Sequence, residues 1–155
     1  MMTPYHSKGR VGITCSAFDM LHPGHVSMLE EAKKHCHWLV CALHVDPSLE
    51  REDKDPPLQS LVSRYTQLRA VQWVDEIIPY ETESELCDLF QLRHFDVRII
   101  GSEYQNQMFT AKVINLMRGT EIVYNSRDHR FSSTMKRKQF KHGMHDETFL
   151  QDDED

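Results

Sequence analysis

The sequence predicts an α/β protein built on a doubly wound, five-stranded parallel sheet with helices on both faces. Short, nearly continuous apolar runs alternate along the chain with longer segments of helical periodicity. Apolar runs of this kind are typical of strands buried on both faces, and their alternation with helices is typical of parallel sheets. The 155 residues suit one domain with its own core. No GxGxxG motif is present, which disfavours an ordinary dinucleotide dehydrogenase.

The predicted elements follow one another in a regular order. Strands are expected at 10–15, 38–44, 74–79, 95–100 and 120–124, and helices at 24 to about 35, 61–71, 83–92, around 113–117 and 132 to about 140. A charged, proline-broken loop covers 47–58, and Ser60 is the predicted N-cap of the helix after it. We expect one domain at 9–141 and a disordered acidic tail at 142–155. Right-handed crossovers place the first and fourth strands at the switch point, where ligands bind in such sheets.

The overall composition excludes several classes of protein. The net charge of −6 argues against nucleic-acid binding. No apolar run is long enough to cross a bilayer and no signal-peptide pattern opens the chain, so we expect a cytoplasmic protein without a membrane partner. The cysteines show no CxxC spacing and are predicted to be reduced thiols in or near the core: Cys15, Cys36, Cys41 and Cys87.

The stretch at 13–25, ITCSAFDMLHPGH, is the most informative part of the sequence. A β-branched run leads into small residues and then into His22 and His25, directly before an amphipathic helix. The two imidazoles are thereby predicted to lie where a helix presents unpaired N–H groups and a partial positive charge. Gly24 lets the backbone approach a ligand without a Cβ clash. This arrangement favours an anion site, most often for a phosphate.

The tetrapeptide HPGH resembles the HxGH signature of the nucleotidyltransferase superfamily. The most similar group is the cytidylyltransferase-like family, which includes glycerol-3-phosphate cytidylyltransferase and the ADP-heptose-forming adenylyltransferases. The segment 127–134, RDHRFSST, resembles the second motif of this family, while 73–79 and 100–104 resemble its third strand and the end of its fourth. The resemblance covers roughly 10–137 and implies a Rossmann-like fold.

This resemblance implies roles for particular residues. His22 and His25 would contact the α-phosphate and the departing pyrophosphate, and Arg127 would reach the base or the phosphates. Lys54 would bind substrate and phosphate, and Arg64 would face the substrate. Ser132, Ser133 and Thr134 would hold the β- and γ-phosphates. Other residues predicted to line the nucleotide are Ser16, Ala17, Phe18, Gly24, Asp46, Gly101, Ser102 and Glu103, with Tyr104 beside them and Glu103 a candidate for the ribose hydroxyls.

Simpler structural roles compete with these assignments. His22 would cap the helix while His25 packs, and 132–134 would be a plain N-cap. Lys54 would be solvated, and Arg64 would form a surface ion pair. Asp19 is expected to brace its loop by hydrogen bonds rather than take part in chemistry. His35, His37 and His44 fit no zinc pattern and are interpreted as structural, so we predict no protein-bound metal, only Mg²⁺ carried by the triphosphate.

The predicted reaction transfers a nucleoside monophosphate, preferably CMP, from CTP or ATP to a phosphorylated alcohol or sugar, releasing pyrophosphate. A phosphate monoester is already anionic near pH 7, so the site needs hydrogen-bond donors and positive charge rather than a general base. The alternatives are an adenylyltransferase of the ADP-heptose or FAD-synthetase type, or a nucleotide-binding module without turnover. Ser16, Ala17 and Gln72 depart from the family pattern and suggest the last, and Gln72 weakens the case for glycerol phosphate. The resemblance also implies a homodimer.

Overall fold

The computed structural model describes residues 8–126, which form five strands and four helices. The strands are β1 (Val11–Ser16), β2 (Trp38–His44), β3 (Glu76–Tyr80), β4 (Val97–Gly101) and β5 (Glu121–Asn125). The helices are α1 (Pro23–Lys33), α2 (Leu61–Arg69), α3 (Glu83–Leu92) and α4 (Lys112–Met117), and short 3-10 turns lie at Pro47–Leu49 and Ser102–Tyr104. The predicted last helix and acidic tail lie outside the described residues.

All five strands are parallel and lie in the order β3-β2-β1-β4-β5. This is the predicted doubly wound, Rossmann-like arrangement. Strand β1 pairs with β2 on one side and with β4 on the other, so the switch point lies between β1 and β4. The loops after Ser16 and Gly101 therefore leave neighbouring strands at the same edge of the sheet.

The two faces of the sheet carry separate apolar clusters because alternate strand residues point in opposite directions. In β2, Leu39 and Leu43 pack with Leu29 of α1 and Leu68 of α2. Val40 points to the opposite face of the sheet and packs in a second cluster with residues of α3. Helices α1 and α2 therefore pack on one face of the sheet, and α3 and α4 pack on the other.

The ends of the helices follow local sequence signals. Ser60 caps α2 as predicted, and its hydroxyl accepts a hydrogen bond from the Ser63 N–H at 3.1 Å. Thr82 caps α3 in the same way through the N–H of Glu85, at 3.0 Å. Such caps satisfy N–H groups that have no partner within the helix.

The described cysteines are free thiols, as predicted. Burial raises the pKa of the Cys15, Cys36 and Cys41 thiols, so they stay protonated at neutral pH. Within residues 8–126, none of the helices has both the length and the apolar character that crossing a bilayer requires.

Candidate active site

The loop between β1 and α1 adopts an unusual backbone conformation. Phe18 has φ 47° and Met20 has φ 53°, both in the left-handed region that large side chains rarely adopt. Each such residue costs on the order of 1–3 kcal/mol and persists only where its surroundings determine the conformation. Surrounding contacts must therefore fix this loop.

Asp19 supplies part of that constraint, because its carboxylate accepts hydrogen bonds from a second loop. The backbone N–H groups of Leu58 and Gln59 donate to it at 2.9 and 3.0 Å. The side-chain oxygen of Gln59 in turn accepts from the Met20 N–H at 2.9 Å. The prediction that Asp19 braces the loop is confirmed. The loop before α1 and the loop before α2 form one hydrogen-bonded unit.

Arg64 supplies the rest of the constraint from inside α2. Its guanidinium donates to the carbonyl oxygens of Gln59 (3.1 Å), Ala17 (3.0 Å), His44 (2.7 Å) and Val45 (2.6 Å). The residue is only 2% exposed, so the alternative of a surface ion pair is wrong. With four N–H groups donating to carbonyls, Arg64 holds three backbone segments together, and its predicted contact with the substrate stays a prediction.

His22 and His25 lie at the start of α1 with their rings stacked, 4.0 Å between centroids and 24° between planes. His22 is the N-cap, and its Nδ1 accepts a hydrogen bond from the Gly24 N–H at 3.1 Å. This bond fixes a neutral ring in the tautomer with its proton on Nε2. Capping therefore leaves the imidazole a hydrogen-bond donor, and the structural and functional roles of His22 are compatible.

Phe18 sets the position of His25. Their rings meet edge to face with centroids 5.8 Å apart, and Phe18 is 1% exposed within the α1–α2 core cluster. With its side chain so deeply buried, Phe18 can contact a nucleotide only through its backbone, and its part in nucleotide binding stays a prediction. Within the site, the buried ring of Phe18 packs against the imidazole of His25.

The first turn of α1 suits an anion. Pro23 occupies the first helical position, and no acidic residue lies in this turn. No side chain of this turn therefore neutralises the partial positive charge of the helix N-terminus. The first turn of α3 carries Glu83 and Glu85 and lacks this property.

Other predicted nucleotide-binding residues lie at strand ends. Ser16 ends β1, and Gly101 ends β4 directly before the Ser102–Tyr104 turn. A Cβ at Gly101 would overlap the carboxylate of Glu103, so this side chain folds back over the end of β4. Asp46 follows β2 and caps the Pro47–Leu49 turn by accepting from the Ser48 N–H at 2.9 Å. Nucleotide contacts of all these residues stay predictions.

Two further parts of the predicted site are less defined. Lys54 is exposed in its loop, where its N–H donates to the Arg51 carbonyl at 3.0 Å. Arg127 and the cluster Ser132, Ser133 and Thr134 lie outside the described residues. The structure therefore brings together the histidine half of the proposed triphosphate site, and the second half stays a prediction.

Sequence reasoning missed Gln59 entirely. Its link to Met20 joins residues 39 positions apart, and no periodicity or motif signals it. Contacts between loops depend on the folded path of both, which neither local sequence contains.

In this chain, the switch point between β1 and β4 and the two histidines at the start of the helix after β1 match the arrangement predicted for a nucleotidyltransferase of the α/β type. Its family follows from comparison with known proteins. The family model described as cytidylyltransferase-like matches residues 13–147, and the chain belongs to that family.

Curated relatives include the bifunctional protein HldE of Hyphomonas neptunium, 35% identical over 116 residues, which are 74% of this chain and 24% of that protein. HldE of Caulobacter sp. is 32% identical over 115 residues, 74% of this chain and 23% of that protein. The chain thus spans about a quarter of the length of these relatives.

Solved structures share the fold. A lipopolysaccharide core biosynthesis protein from Thermoplasma volcanium has a TM-score of 0.63 and 24% identity, covering 77% of this chain and 98% of that one. Pantothenate synthetase from Thermus thermophilus has a TM-score of 0.55 and 18% identity, covering 77% of this chain and 56% of that one.

Proposed function

We propose that this chain transfers a nucleoside monophosphate, preferably CMP from CTP, to a phosphorylated alcohol or sugar and releases pyrophosphate. The observation that carries the proposal is the stacked pair His22 and His25 at the N-terminus of α1, in a first turn without acidic residues. Membership of the cytidylyltransferase-like family supports the same reaction type. The acceptor and the choice of CTP are part of the proposal.

In this reaction an oxygen of the acceptor phosphate attacks the α-phosphorus of the triphosphate. A new P–O bond forms, the bond between the α-phosphorus and the bridging oxygen breaks, and pyrophosphate leaves with its Mg²⁺. No proton needs to be removed from the nucleophile, because a phosphate monoester is largely ionised near pH 7. The proton on His22 Nε2 and the N-terminus of α1 stabilise charge that builds up on the transferring group.

The remaining roles are distributed over the loops. His25 binds the same phosphates as His22, and Lys54 binds the acceptor phosphate. Arg127 contacts the base or the phosphates, and the hydroxyls at 132–134 hold the β- and γ-phosphates. Arg64 and Asp19 position the histidine loop through backbone hydrogen bonds. The functional unit is proposed to be a homodimer, which light scattering of the purified chain would test.

ATP is the second candidate for the nucleotide. The curated relatives described above are named HldE rather than cytidylyltransferases, and Gln72 departs from the glycerol-phosphate pattern. An adenylyltransferase of the ADP-heptose or FAD-synthetase type uses the same in-line displacement. The arrangement of His22 and His25 serves either nucleotide, because both histidines are assigned to phosphate and not to the base.

The deciding experiment measures pyrophosphate release with CTP or ATP across a panel of phosphorylated alcohols and sugars. The proposal predicts release with at least one acceptor, faster with CTP, and dependent on both substrates and Mg²⁺. Faster release with ATP would identify the adenylyltransferase alternative. Nucleotide binding without release on any acceptor would contradict the proposal and indicate a binding module.

A further inference from the structure

One imidazole and two carboxylates converge at the carboxyl ends of β2 and β3, beside α3. His44 is the last residue of β2, Glu50 follows the Pro47–Leu49 turn, and Glu83 is the first residue of α3. Their potential ligand atoms lie within 4.8 Å of one another. We propose that His44, Glu50 and Glu83 bind a divalent transition-metal ion, on the opposite face of the sheet from His22 and His25.

The imidazole of His44 is buried and held in a fixed orientation. The residue is 5% exposed, and its ring stacks on Tyr80 with 4.4 Å between centroids. Its Nδ1 faces Glu83 Oε1 at 4.0 Å, which is beyond hydrogen-bonding distance. Its buried Nε2 has no hydrogen-bond partner in the part of the chain that the structure describes. The ring therefore lies beside the Glu83 carboxylate without forming a hydrogen bond to it.

The carboxylates of Glu50 and Glu83 each retain an oxygen for a ligand. Glu83 Oε2 accepts a hydrogen bond from the Thr110 hydroxyl, and Glu50 Oε2 accepts one from the Glu83 N–H at 2.7 Å. Hydrogen bonds among the described residues use Oε1 of neither carboxylate. A cation bound between them would be attracted by both negative charges.

The donor set indicates which ions fit. One imidazole nitrogen with two carboxylate oxygens suits Zn²⁺, Mn²⁺ or Co²⁺, with water in the remaining positions. Bonds of about 2.0–2.2 Å to an ion such as zinc place its ligand atoms roughly 3–4 Å apart. The ligand atoms of the three side chains must therefore move closer together to bind the ion, and the exposed side chain of Glu50 can rotate to allow this.

The site lies on the opposite face of the sheet from α1. His44 follows Val40 and Ala42 in the alternation of β2, and both of these pack in the α3–α4 cluster. An ion here would join the segment after β2 to the start of α3. Because Glu50 precedes Lys54 by four residues, the ion would also fix the beginning of the loop that carries this lysine.

The test measures metal binding directly, without nucleotide. The full chain, without an affinity tag and stripped with chelator, is titrated with Zn²⁺ by calorimetry and with Co²⁺ by visible absorption. Because the chain has 10 histidines, variants identify the site. Glu50→Gln is the main variant, since its side chain is exposed and the amide oxygen can still accept the hydrogen bond from the Glu83 N–H. Glu83→Gln is the second, and Glu52→Gln, exposed in the same loop, is the matched control.

We expect one ion per chain at this site, with affinity at least tenfold weaker in Glu50→Gln and Glu83→Gln and unchanged in Glu52→Gln. Zn²⁺ should raise the Tm of the wild-type chain and of the control more than that of Glu50→Gln. Equal Zn²⁺ affinity and stoichiometry in Glu50→Gln, Glu83→Gln and wild type would overturn the proposal. Neither result bears on nucleotidyl transfer, which is measured separately.

Discussion

At the scale of single residues, His22 shows how one side chain serves two purposes. Its Nδ1 caps α1 through the Gly24 N–H, and this same bond places the proton on Nε2. A cap alone could be supplied by Asn, Asp, Ser or Thr. An imidazole adds a second nitrogen on the far side of the ring, which none of those residues provides. The choice of histidine at the N-cap is therefore informative about function.

Replacing His22 by Asn should separate the two purposes. Asparagine is among the best N-cap residues, so the Tm of His22→Asn should stay within a few degrees of the wild-type value. It lacks the distal N–H, so turnover should fall by ~10²–10³, as for the loss of one preorganised donor. Pyrophosphate release and a thermal melt of the same preparation measure both quantities.

His22→Ala is the comparison, because it removes the cap as well. It should lose the same activity and about 1 kcal/mol of the free energy of unfolding. His25→Ala should lose activity without the capping penalty. If His22→Asn retained wild-type turnover, the ring would be only a cap, and the proposed phosphate contact would be wrong.

At the scale of elements, the histidine loop takes its shape from two distant segments. Asp19 holds the loop before α2, and Arg64 of α2 holds the ends of the segments after β1 and β2. The left-handed backbone conformations of Phe18 and Met20 are strained, and these contacts keep both residues in them. Catalytic geometry in this protein thus depends on α2 as much as on α1.

Arg64→Gln should destabilise the protein strongly. The shorter amide cannot reach the carbonyls of Ala17, His44 and Val45 together, and each buried carbonyl without a donor costs about 1–3 kcal/mol. We expect a loss of about 1–3 kcal/mol in urea unfolding, since the bond to the His44 carbonyl is buried and those to Ala17 and Val45 are partly buried. Arg69→Gln, exposed at the last turn of the same helix, is the control and should change stability by less than about 1 kcal/mol. Similar values for the two variants would contradict the bracing role.

Asp19→Asn should loosen the coupling between the two loops. An amide keeps one acceptor oxygen but presents an NH₂ group to the second backbone N–H, at Leu58 or Gln59. We expect faster hydrogen exchange at those two N–H groups and a loss of about 1–3 kcal/mol in stability. Asp88→Asn, exposed on α3, serves as the control. Unchanged exchange at Leu58 and Gln59 would show that the carboxylate does not hold the loop.

The sequence predicted these elements well and their mutual contacts poorly. Ser60 and the apolar runs of β1 and β2 are local signals, so the order of elements followed from them. Boundaries shifted where a turn replaces regular structure. The helix α1 ends at Lys33 rather than near 35, because the following N–H groups close tight turns onto Glu31 and Ala32. The four carbonyls around Arg64 come from segments that no local pattern connects.

At the scale of the whole molecule, the sheet order was predictable because right-handed crossovers leave few alternatives. The contacts between side chains at the edge of that sheet were not predictable. His44 was interpreted as structural, since nothing in its neighbourhood of the sequence indicates that Glu50 and Glu83 approach it. Topology specifies which strand ends are neighbours, and only the folded loops specify which side chains meet there.

A long-range ion pair between β3 and the end of α3 makes the stability of the molecule depend on pH. Arg93 donates two hydrogen bonds to Glu76, at 2.9 and 2.8 Å, with side chains 11% and 26% exposed. These bonds, with a further one from Trp38, lower the pKa of Glu76 below its ordinary value of 4.5. The unfolded chain therefore binds this proton at a higher pH than the folded chain does.

The resulting stabilisation is complete above the unfolded pKa and is lost as the pH falls through the lower, folded pKa. Glu76→Gln should cost about 1–3 kcal/mol in urea unfolding at pH 7. The difference from wild type should shrink below the ordinary pKa of 4.5, where protonation already weakens the pair in the wild-type chain. Glu30→Gln, exposed on α1, should show no such pH dependence. A penalty for Glu76→Gln that stayed constant from pH 7 to pH 3 would mean that the lost interaction is packing, not the charge of the carboxylate.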